Sequence, residues 1–439
     1  MKLKFLFSRA EGIKKWLVSL VIGIIIVISC CIAIGYHADD NVLAVGLYAV
    51  AVFFGLLLCV VSIKASLKCI VRLINRLNNN ILDSKKLEKE LCESAEISKG
   101  PRVVLIGGGT GLSNLLRGMK KFTCNITAIV TVGDDGGGSG ILRQDLDMIP
   151  PGDIRNCILA LANTEPIMEE LLEYRFTEGR LKGQSFGNLF LAAMDGISEN
   201  FMEAVKKVSS VLAVKGNVLP VTMKKITLKA KLENGNMVEG ESNIPKEASE
   251  QNSPIKKMYI EPSDARGLRE AVLAIKEADA IIMGPGSLYT SIMPNLLVND
   301  IRKEIHKSVA TKIYISNIMT QHGETDNFTV KDHVKIIQDH CGKEIIDYVI
   351  ANNGSISEEL EKKYYSEEAK LVELNKEEVE KLGVKLIEDN LIKVKDNFIR
   401  HDTYRICEII VNDIMKKELC LHEKKRLQDI KQQLDLTKK

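Results

Sequence analysis

Two long apolar segments open the chain, and neither contains a charged side chain: residues 16–36 and 42–63. Each is about 21 residues long, enough to cross a hydrocarbon layer of roughly 30 Å as a helix. Basic residues precede the first segment and follow the second, so the positive-inside rule places both termini in the cytoplasm and the acidic turn at 37–41 outside. The pattern predicts that residues 1–64 form a transmembrane helical hairpin, which makes this a multi-pass protein of the cell membrane.

Leucine and isoleucine recur at near-helical spacing among basic side chains in the next segment, residues 65–100. We expect a cytoplasmic helical linker there, which is either a helix lying on anionic lipid or a solvated tether. Residues 101–425 would then form one large cytoplasmic domain. The lysine-rich residues 426–439 would be a charged tail.

Short and continuous apolar runs recur through the large domain, at 103–106, 126–132, 280–283, 312–316 and 348–351. A strand with one solvent-exposed face would alternate apolar and polar residues. These continuous apolar runs therefore predict parallel strands buried on both faces, with helices between them. Residues 213–244 do alternate, around Asn234 and Gly235, which is a hairpin signal. The fold class predicted is a three-layer, Rossmann-like α/β domain with a small β insertion, preceded by the hairpin.

A glycine-rich loop follows the first of these runs, with ligand-binding candidates Gly108, Gly109, Thr110 and Gly111. Its sixth position is Leu112 and no lysine motif follows, so it is neither a dinucleotide fingerprint nor a P-loop. Glycines after a buried strand let a ligand approach the backbone, and the amides that open the next helix attract anions. A tight turn that binds nothing is the alternative.

A second glycine loop, after 126–132, carries two adjacent carboxylates, Asp134 and Asp135. They would either hold Mg²⁺, the one cofactor considered, or accept hydrogen bonds from a ligand hydroxyl. They are also the catalytic candidates if a reaction occurs. The same loop adds the binding candidates Gly138, Ser139 and Arg143.

Further candidates follow helix starts and strand ends. Asp153 precedes a predicted helix at 154–162, where it either caps that helix or faces the ligand, with Asn156 beside it. A charged surface helix is predicted at 169–181, and Asn188 opens a later one. The segment after 280–283 is the second phosphate candidate, with Gly284, Pro285, Gly286, Ser287 and Thr290.

The loop after 312–316 supplies Asn317 and Thr320 as hydrogen-bonding candidates. It also contains His322, the only histidine within a motif. A histidine there could act as a general base, but a solvated surface residue is the simpler interpretation, since no serine can be assigned to it from the sequence.

Composition excludes some classes of function. The formal net charge of +2 and the 5% aromatic content give no basis for nucleic-acid binding. The ten cysteines form no CxxC pair, which favours a reducing compartment without disulfides or a zinc site.

Six motifs occur in a fixed order between residues 101 and 425: GGGTGLSNLL, GDDGGGSGILR, PPGDIRNCILALAN, FGNLFLAAM, GPGSLYTSIMPNLLV and NIMTQHGETD. Together they resemble the family of bacterial gluconeogenesis factors (YvcK-like), which is related to the CofD-like 2-phospho-L-lactate transferases. The resemblance implies binding of a UDP-sugar such as UDP-N-acetylglucosamine and a role in cell shape and envelope synthesis. It also implies that Arg400 pairs with a phosphate and Tyr364 packs on the base or sugar.

Two functions stay open at this point. The first is a membrane-tethered regulatory factor that binds a UDP-sugar and acts on an envelope-synthesis or regulatory protein, and a homodimer is compatible with it. The second is a Mg²⁺-dependent transferase that moves a phosphoryl-linked group from a nucleotide diphosphate to an acceptor hydroxyl. Thr403, beside Arg400, is a candidate for phosphorylation no stronger than any exposed threonine.

Overall fold

A computed structural model describes residues 11–37, 42–77, 97 and 100–418 of the chain. Contacts divide the chain into two compact units, Met1–Glu96 and Ile97–Lys439. The acidic turn beyond His37, most of the linker after Leu77 and the charged tail lie outside the described residues.

The first unit consists of two helices, α1 (Glu11–His37) and α2 (Val42–Leu77), which pack against each other. Within them, Lys15–Gly35 and Val45–Ser66 are long and apolar enough to cross a membrane, judged by length and composition alone. Most of their leucine, isoleucine, valine and phenylalanine side chains face outward. The second helix continues without a break from the apolar segment into the first part of the predicted linker.

Small residues bring the two helices close together. A Cβ added at Gly23 would lie 2.8 Å from the Cys59 sulfur and 3.1 Å from the Gly55 carbonyl oxygen. One turn farther along, the Ser62 hydroxyl donates to Ser19 Oγ at 3.0 Å. Close backbone approach and hydrogen bonds between hydroxyl groups are how helices associate where no water is present.

The second unit is built on strands with these bounds: β1 Val103–Gly107, β2 Ile126–Val130, β3 Asn217–Pro220, β4 Thr227–Leu232, β5 Met237–Glu239, β6 Ile255–Glu261, β7 Ala280–Met283, β8 Thr311–Ile315, β9 Tyr348–Asn352, β10 Lys385–Asp389, β11 Ile392–Lys395 and β12 Phe398–His401. Seven of them form one sheet in the order β3-β2-β1-β7-β8-β9-β10, and every neighbouring pair is parallel. Every residue of β1 is buried, as expected for a strand covered on both faces. The prediction of a parallel, Rossmann-like sheet is confirmed.

The β insertion is a separate antiparallel sheet in the order β5-β4-β6. Its first hairpin turns at Asn234 and Gly235, where Gly235 has φ +92°, so the hairpin prediction is confirmed. A second, two-stranded hairpin pairs β11 with β12 near the end of the described chain.

The helices of this unit are α3 Gly109–Met119, α4 Gly137–Asp145, α5 Gly152–Leu161, α6 Pro166–Glu173, α7 Phe186–Gly196, α8 Phe201–Val211, α9 Asn243–Glu250, α10 Arg269–Glu277, α11 Met293–Leu297, α12 Asn299–Lys307, α13 Val330–Cys341, α14 Glu358–Ser366, α15 Lys376–Glu380 and α16 Thr403–Glu408. Shorter or wider helical turns lie at Gly179–Leu181, Leu288–Ile292, Lys343–Ile345 and Ile409–Met415. Helices α3, α5 and α16 pack together, and α10 packs on α12. The sheet grows in opposite directions from β1 and from β7, so right-handed crossovers place these two groups on opposite faces.

The predicted helix at 169–181 is wrong in its second half. The helix ends at Glu173, and Arg175 then forms an isolated bridge with Ser185. Gly179, at φ +69°, adopts a conformation that a regular helix excludes. The charge pattern alone did not reveal this turn.

Candidate functional site

The loops after β1 and β7 lie side by side, because these two strands are neighbours at the point where the strand order reverses. Open parallel sheets bind ligands at this position. A Cβ added at Gly111 would overlap the carbonyl oxygen of Pro285, and one at Gly286 would lie 3.6 Å from the carbonyl oxygen of Gly108. Glycine is therefore required at position 111 for the two loops to touch. Gly284 has φ +85° and turns the chain out of β7.

A cleft of about 390 Å³ opens beside these loops, and its lining residues come from five parts of the chain. It includes these residues named from the sequence: Thr110, Gly111, Pro285, Gly286, Ser287, Asn317, Thr320, Tyr364 and Arg400. Asn317 follows β8, and the last two lie in α14 and β12. The cleft thus joins the glycine loops to the C-terminal segments.

Ser287 is held by hydrogen bonds within the protein. Its hydroxyl accepts from the Thr290 N–H at 3.1 Å and from the Thr290 hydroxyl at 2.8 Å, and it donates to the carboxylate of Glu324. Burial raises the pKa of Glu324 to about 7, although the Ser287 hydroxyl, the Tyr289 N–H and the Thr290 hydroxyl oppose that rise. Thr290 therefore fixes the loop, and the Ser287 hydroxyl is already occupied.

Asp135 and Arg143 attach the β insertion to the sheet. The Asp135 carboxylate accepts from the backbone N–H groups of Glu241 and Ser242 at 2.9 and 3.0 Å, and from the Ser242 hydroxyl at 2.8 Å. Arg143 donates to the carbonyl oxygen of Ile226 at 2.8 Å. Both side chains, which the sequence analysis assigns to the ligand, thus have partners within the protein.

A second group of the predicted residues lies on the β2 side of the first loop. The Asp153 carboxylate accepts from the Gly109 N–H, and burial, with a smaller contribution from Asp134, raises its pKa to about 6. Its helix α5 begins at Gly152 and Pro151 is the cap residue, so Asp153 does not cap the helix. It instead ties the start of α5 to the glycine loop.

Asp134, Ser139 and Asn188 also belong to this second group. Asp134 accepts from the Gly136 N–H at 3.0 Å. The Asn188 amide donates to Ser139 Oγ at 3.5 Å, and its buried Oδ1 has no partner. Nearby, burial and then the Asp134 charge raise the pKa of Glu241 to about 8.

The remaining members of the group are packed within the protein. Asn156 accepts from the Arg155 guanidinium at 2.6 Å, and a Cβ at Gly138 would lie 2.9 Å from Gln184 Oε1. Within the described part of the chain, no three histidine, cysteine, aspartate or glutamate side chains are arranged to hold a metal ion. A Mg²⁺ at Asp134 would need water and ligand phosphates for most of its coordination shell.

Tyr364 and Arg400 form the far wall of the cleft. The Tyr364 ring is buried, and its hydroxyl oxygen accepts from the Ile399 N–H at 2.8 Å, which joins α14 to β12. The Arg400 guanidinium lies over the Phe398 ring at 5.5 Å. Arg400 is the only lysine or arginine that lines the cleft among the described residues, and no described carboxylate forms an ion pair with it.

Sequence reasoning missed two histidine arrangements. His401 also lines the cleft, and its Nε2 lies 3.0 Å from the carbonyl oxygen of Ser316. Its position next to Arg400 was the only available signal. His322 contacts Ser249 Oγ at 2.6 Å, Asp326 at 3.1 Å and Glu368 at 2.8 Å. Asp326 belongs to the same motif as His322, whereas Ser249 and Glu368 are too distant in sequence to be paired with it from the motif.

Comparison with known proteins gives consistent results. The family model described as 2-phospho-L-lactate transferase CofD matches residues 103–392. A protein of Clostridium acetobutylicum named "Putative gluconeogenesis factor" is 57% identical over 88% of this chain and 86% of its own. The gluconeogenesis factor of Bacillus subtilis is 46% identical over 72% of this chain and 99% of its own.

A crystal structure of a member of the UPF0052 family from Bacillus halodurans has the same fold, with a TM-score of 0.69 and 46% identity. The match covers 71% of this chain and 99% of that chain, so the matched fold is complete in that protein. Family model, relatives and structure agree, and the chain belongs to the CofD-related gluconeogenesis factor family.

Proposed function

We propose that this protein is a membrane-tethered regulatory factor that binds a UDP-sugar similar to UDP-N-acetylglucosamine in the cleft between the glycine loops and Arg400. The observation that carries the proposal is the unpaired Arg400 guanidinium on a cleft that begins at two glycine loops. Backbone amides at such loops and an arginine fork are both suited to phosphate oxygens. A volume of about 390 Å³ falls within the range of small-ligand pockets.

The phosphate-binding and aromatic parts of the cleft fit the two parts of a nucleotide sugar. The diphosphate would lie between the loop at Gly111 and Arg400, the one lysine or arginine side chain among the described residues that line the cleft. Tyr364 offers a buried aromatic ring for contact with the base or the sugar. Because Glu324 and Thr290 occupy the Ser287 hydroxyl, we assign phosphate contacts in that loop to the backbone.

The regulatory part of the proposal has separate support. Relatives over this fold are named gluconeogenesis factors, and two apolar helices precede the fold here. We propose that these helices cross the cell membrane with both termini and the large unit in the cytoplasm. The bound UDP-sugar would then control an envelope-synthesis or regulatory protein at the membrane, and so cell shape, particularly during gluconeogenic growth.

A CofD-like transferase is the alternative, and the acidic groups around Asp134 favour it. Asp134 lies close enough to Asp153 and Glu241 to raise the pKa of both carboxyl groups, and Asp153 accepts a hydrogen bond from Gly109 in the first glycine loop. Such groups could bind Mg²⁺ together with a diphosphate, or take a proton from an acceptor hydroxyl. The family link supports this alternative at the level of relationship only.

Titration of the unit from Ile97 onward with UDP-N-acetylglucosamine tests the binding proposal. We expect Arg400→Ala to weaken binding roughly 10- to 100-fold, since it removes a charge-assisted phosphate contact. Arg400→Lys should restore part of the loss. Arg102→Ala is the matched control and should bind as the wild type does. Arg102 directly precedes β1, at the end of the strand opposite the glycine loop, and pairs with Glu277. Equal affinity of the Arg400→Ala and Arg102→Ala variants would remove Arg400 from the site.

A further inference from the structure

His401 has a fixed orientation at the end of β12. Its Nε2 lies 3.0 Å from the carbonyl oxygen of Ser316, at the end of β8. A carbonyl oxygen only accepts hydrogen bonds, so Nε2 must carry a hydrogen and donate it. This bond selects one tautomer of the ring and determines how the ring faces the cleft.

The other ring nitrogen is left as an acceptor. Burial lowers the pKa of His401 to about 4, so the ring is neutral at physiological pH and Nδ1 carries no hydrogen. No other described residue donates a hydrogen bond to it. When one nitrogen of a neutral imidazole donates a hydrogen bond to the protein, the ring is fixed, and the lone pair of the other nitrogen points in a defined direction.

Asn317 supplies a second acceptor immediately beyond Ser316. It is 8% exposed and lines the same cleft. Its amide nitrogen donates to Gln321 at 3.2 Å, whereas its buried Oδ1 has no partner. An unsatisfied buried acceptor costs free energy, so a ligand that brings hydrogen-bond donors to this wall of the cleft would be favoured.

We propose that His401 is a specificity-determining residue of the cleft, whose Nδ1 accepts a hydrogen bond from an N–H or O–H group of the bound nucleotide. The inference rests on the proposed function and deepens it. A diphosphate has no donor at neutral pH, so this wall must contact the nucleoside or the sugar, while Arg400 contacts the phosphates. In UDP-N-acetylglucosamine the donors are the imide N–H of the base, the hydroxyls of the ribose and the sugar, and the acetamido N–H of the sugar.

Three analogues that each lack one donor, and UDP, which lacks the whole sugar, distinguish these sources. We would titrate the full chain in detergent with UDP-N-acetylglucosamine, with UDP, and with the 3-methyluracil, 2′-deoxyribose and 3′-deoxyribose forms of UDP-N-acetylglucosamine. If the donor is on the base or the ribose, the wild type should bind one of the three single-donor analogues about tenfold more weakly, as expected for one lost hydrogen bond. If the donor is on the sugar, the wild type should bind these three with unchanged affinity and only UDP more weakly. The ligand that binds more weakly thus identifies the donor to His401.

Substitutions then assign the effect to the residue. His401→Gln retains a donor for the Ser316 carbonyl but loses the ring acceptor. It should bind UDP-N-acetylglucosamine about tenfold more weakly and no longer discriminate against the altered ligand. His401→Asn places an amide oxygen near the position of Nδ1 and should recover part of the affinity. His306→Gln is the matched control, since His306 bonds the Cys341 carbonyl oxygen away from the cleft.

The outcomes separate the two proposals. Wild-type affinity, or wild-type discrimination, in His401→Gln would overturn the inference while the UDP-sugar function stands. Equal wild-type affinity for all altered ligands would also overturn it, even if the variants failed to fold. Absence of UDP-N-acetylglucosamine binding by both the wild type and His306→Gln would instead reject the proposed function, and the inference with it.

Discussion

Glu324 is the buried carboxyl group that joins the loop after β8 to the helix start after β7. Its pKa in the folded protein, about 7, lies above its ordinary value of 4.5. The folded state therefore binds this proton more tightly, and the stability it contributes is complete below about pH 4.5 and is lost as the pH rises through 7.

Glu324→Gln removes this dependence on pH. From pH 5 to pH 8.5 the wild-type unit should lose stability relative to the variant, by at most about 3 kcal/mol, because one pKa unit corresponds to about 1.4 kcal/mol. Urea unfolding of both proteins at several pH values measures the difference. Glu277→Gln controls for the change of charge, because Glu277 is an exposed carboxylate at the end of α10, before β7 begins. Parallel pH profiles for wild type and Glu324→Gln would contradict the assignment.

Individual contacts set the limit of what the sequence predicts for the site. Asp135 follows a buried strand among glycines, which indicates a ligand, yet its carboxylate accepts from Glu241 and Ser242 more than 100 positions away. His401 has no motif of its own, and only the bond to Ser316 gives it an orientation. Residue type and loop position predict which side chains gather. They do not predict which of them already have partners.

Contact between the two glycine loops is the structural requirement of the cleft, and Gly111→Ala tests it. The added methyl group would overlap the Pro285 carbonyl oxygen, which is backbone and cannot rotate away. We expect the loops to separate, with a loss of roughly 1–3 kcal/mol of stability and weaker UDP-sugar binding.

Gly196→Ala is the matched control for that variant. Gly196 also lies in a helix, and a Cβ there would meet nothing within 4 Å. Because Gly196 is the last residue of its helix, replacing it should leave binding unchanged and change the stability of the unit by no more than about 0.5 kcal/mol. If Gly111→Ala behaved as Gly196→Ala does, loop contact would not be essential to the cleft.

Secondary structure followed the hydrophobic pattern closely where strands are buried on both faces. The run at 280–283 is β7 itself, and the run at 126–132 contains β2. Parallel strands buried on both faces can be recognised from their own sequence, without knowing which strands they pair with. The helix predicted at 169–181 ends at Glu173, because Arg175 in its second half forms a bridge with Ser185. Local periodicity does not report such a contact.

The proposed membrane topology concerns the whole chain. Alkaline phosphatase fused after Asp40 should be active, because the proposed topology places the turn outside, whereas a green fluorescent protein fused after Lys439 should fluoresce in the cytoplasm. Removing residues 1–96 should release the remaining unit into the soluble fraction, since contacts define it as a separate unit. An inactive phosphatase, together with a full chain that alkaline buffer extracts from membranes, would contradict the transmembrane hairpin.

The central claim is tested most directly by calorimetric titration of the unit from Ile97 onward with UDP-N-acetylglucosamine, with and without Mg²⁺. The mixture is then followed overnight by phosphorus NMR. The account predicts binding that leaves the nucleotide sugar intact and that exceeds binding of GDP under the same conditions. Release of a nucleoside monophosphate, or preference for the guanine nucleotide, would contradict it. Asp134 and Asp153 would then become candidates for the residues that act on an acceptor hydroxyl.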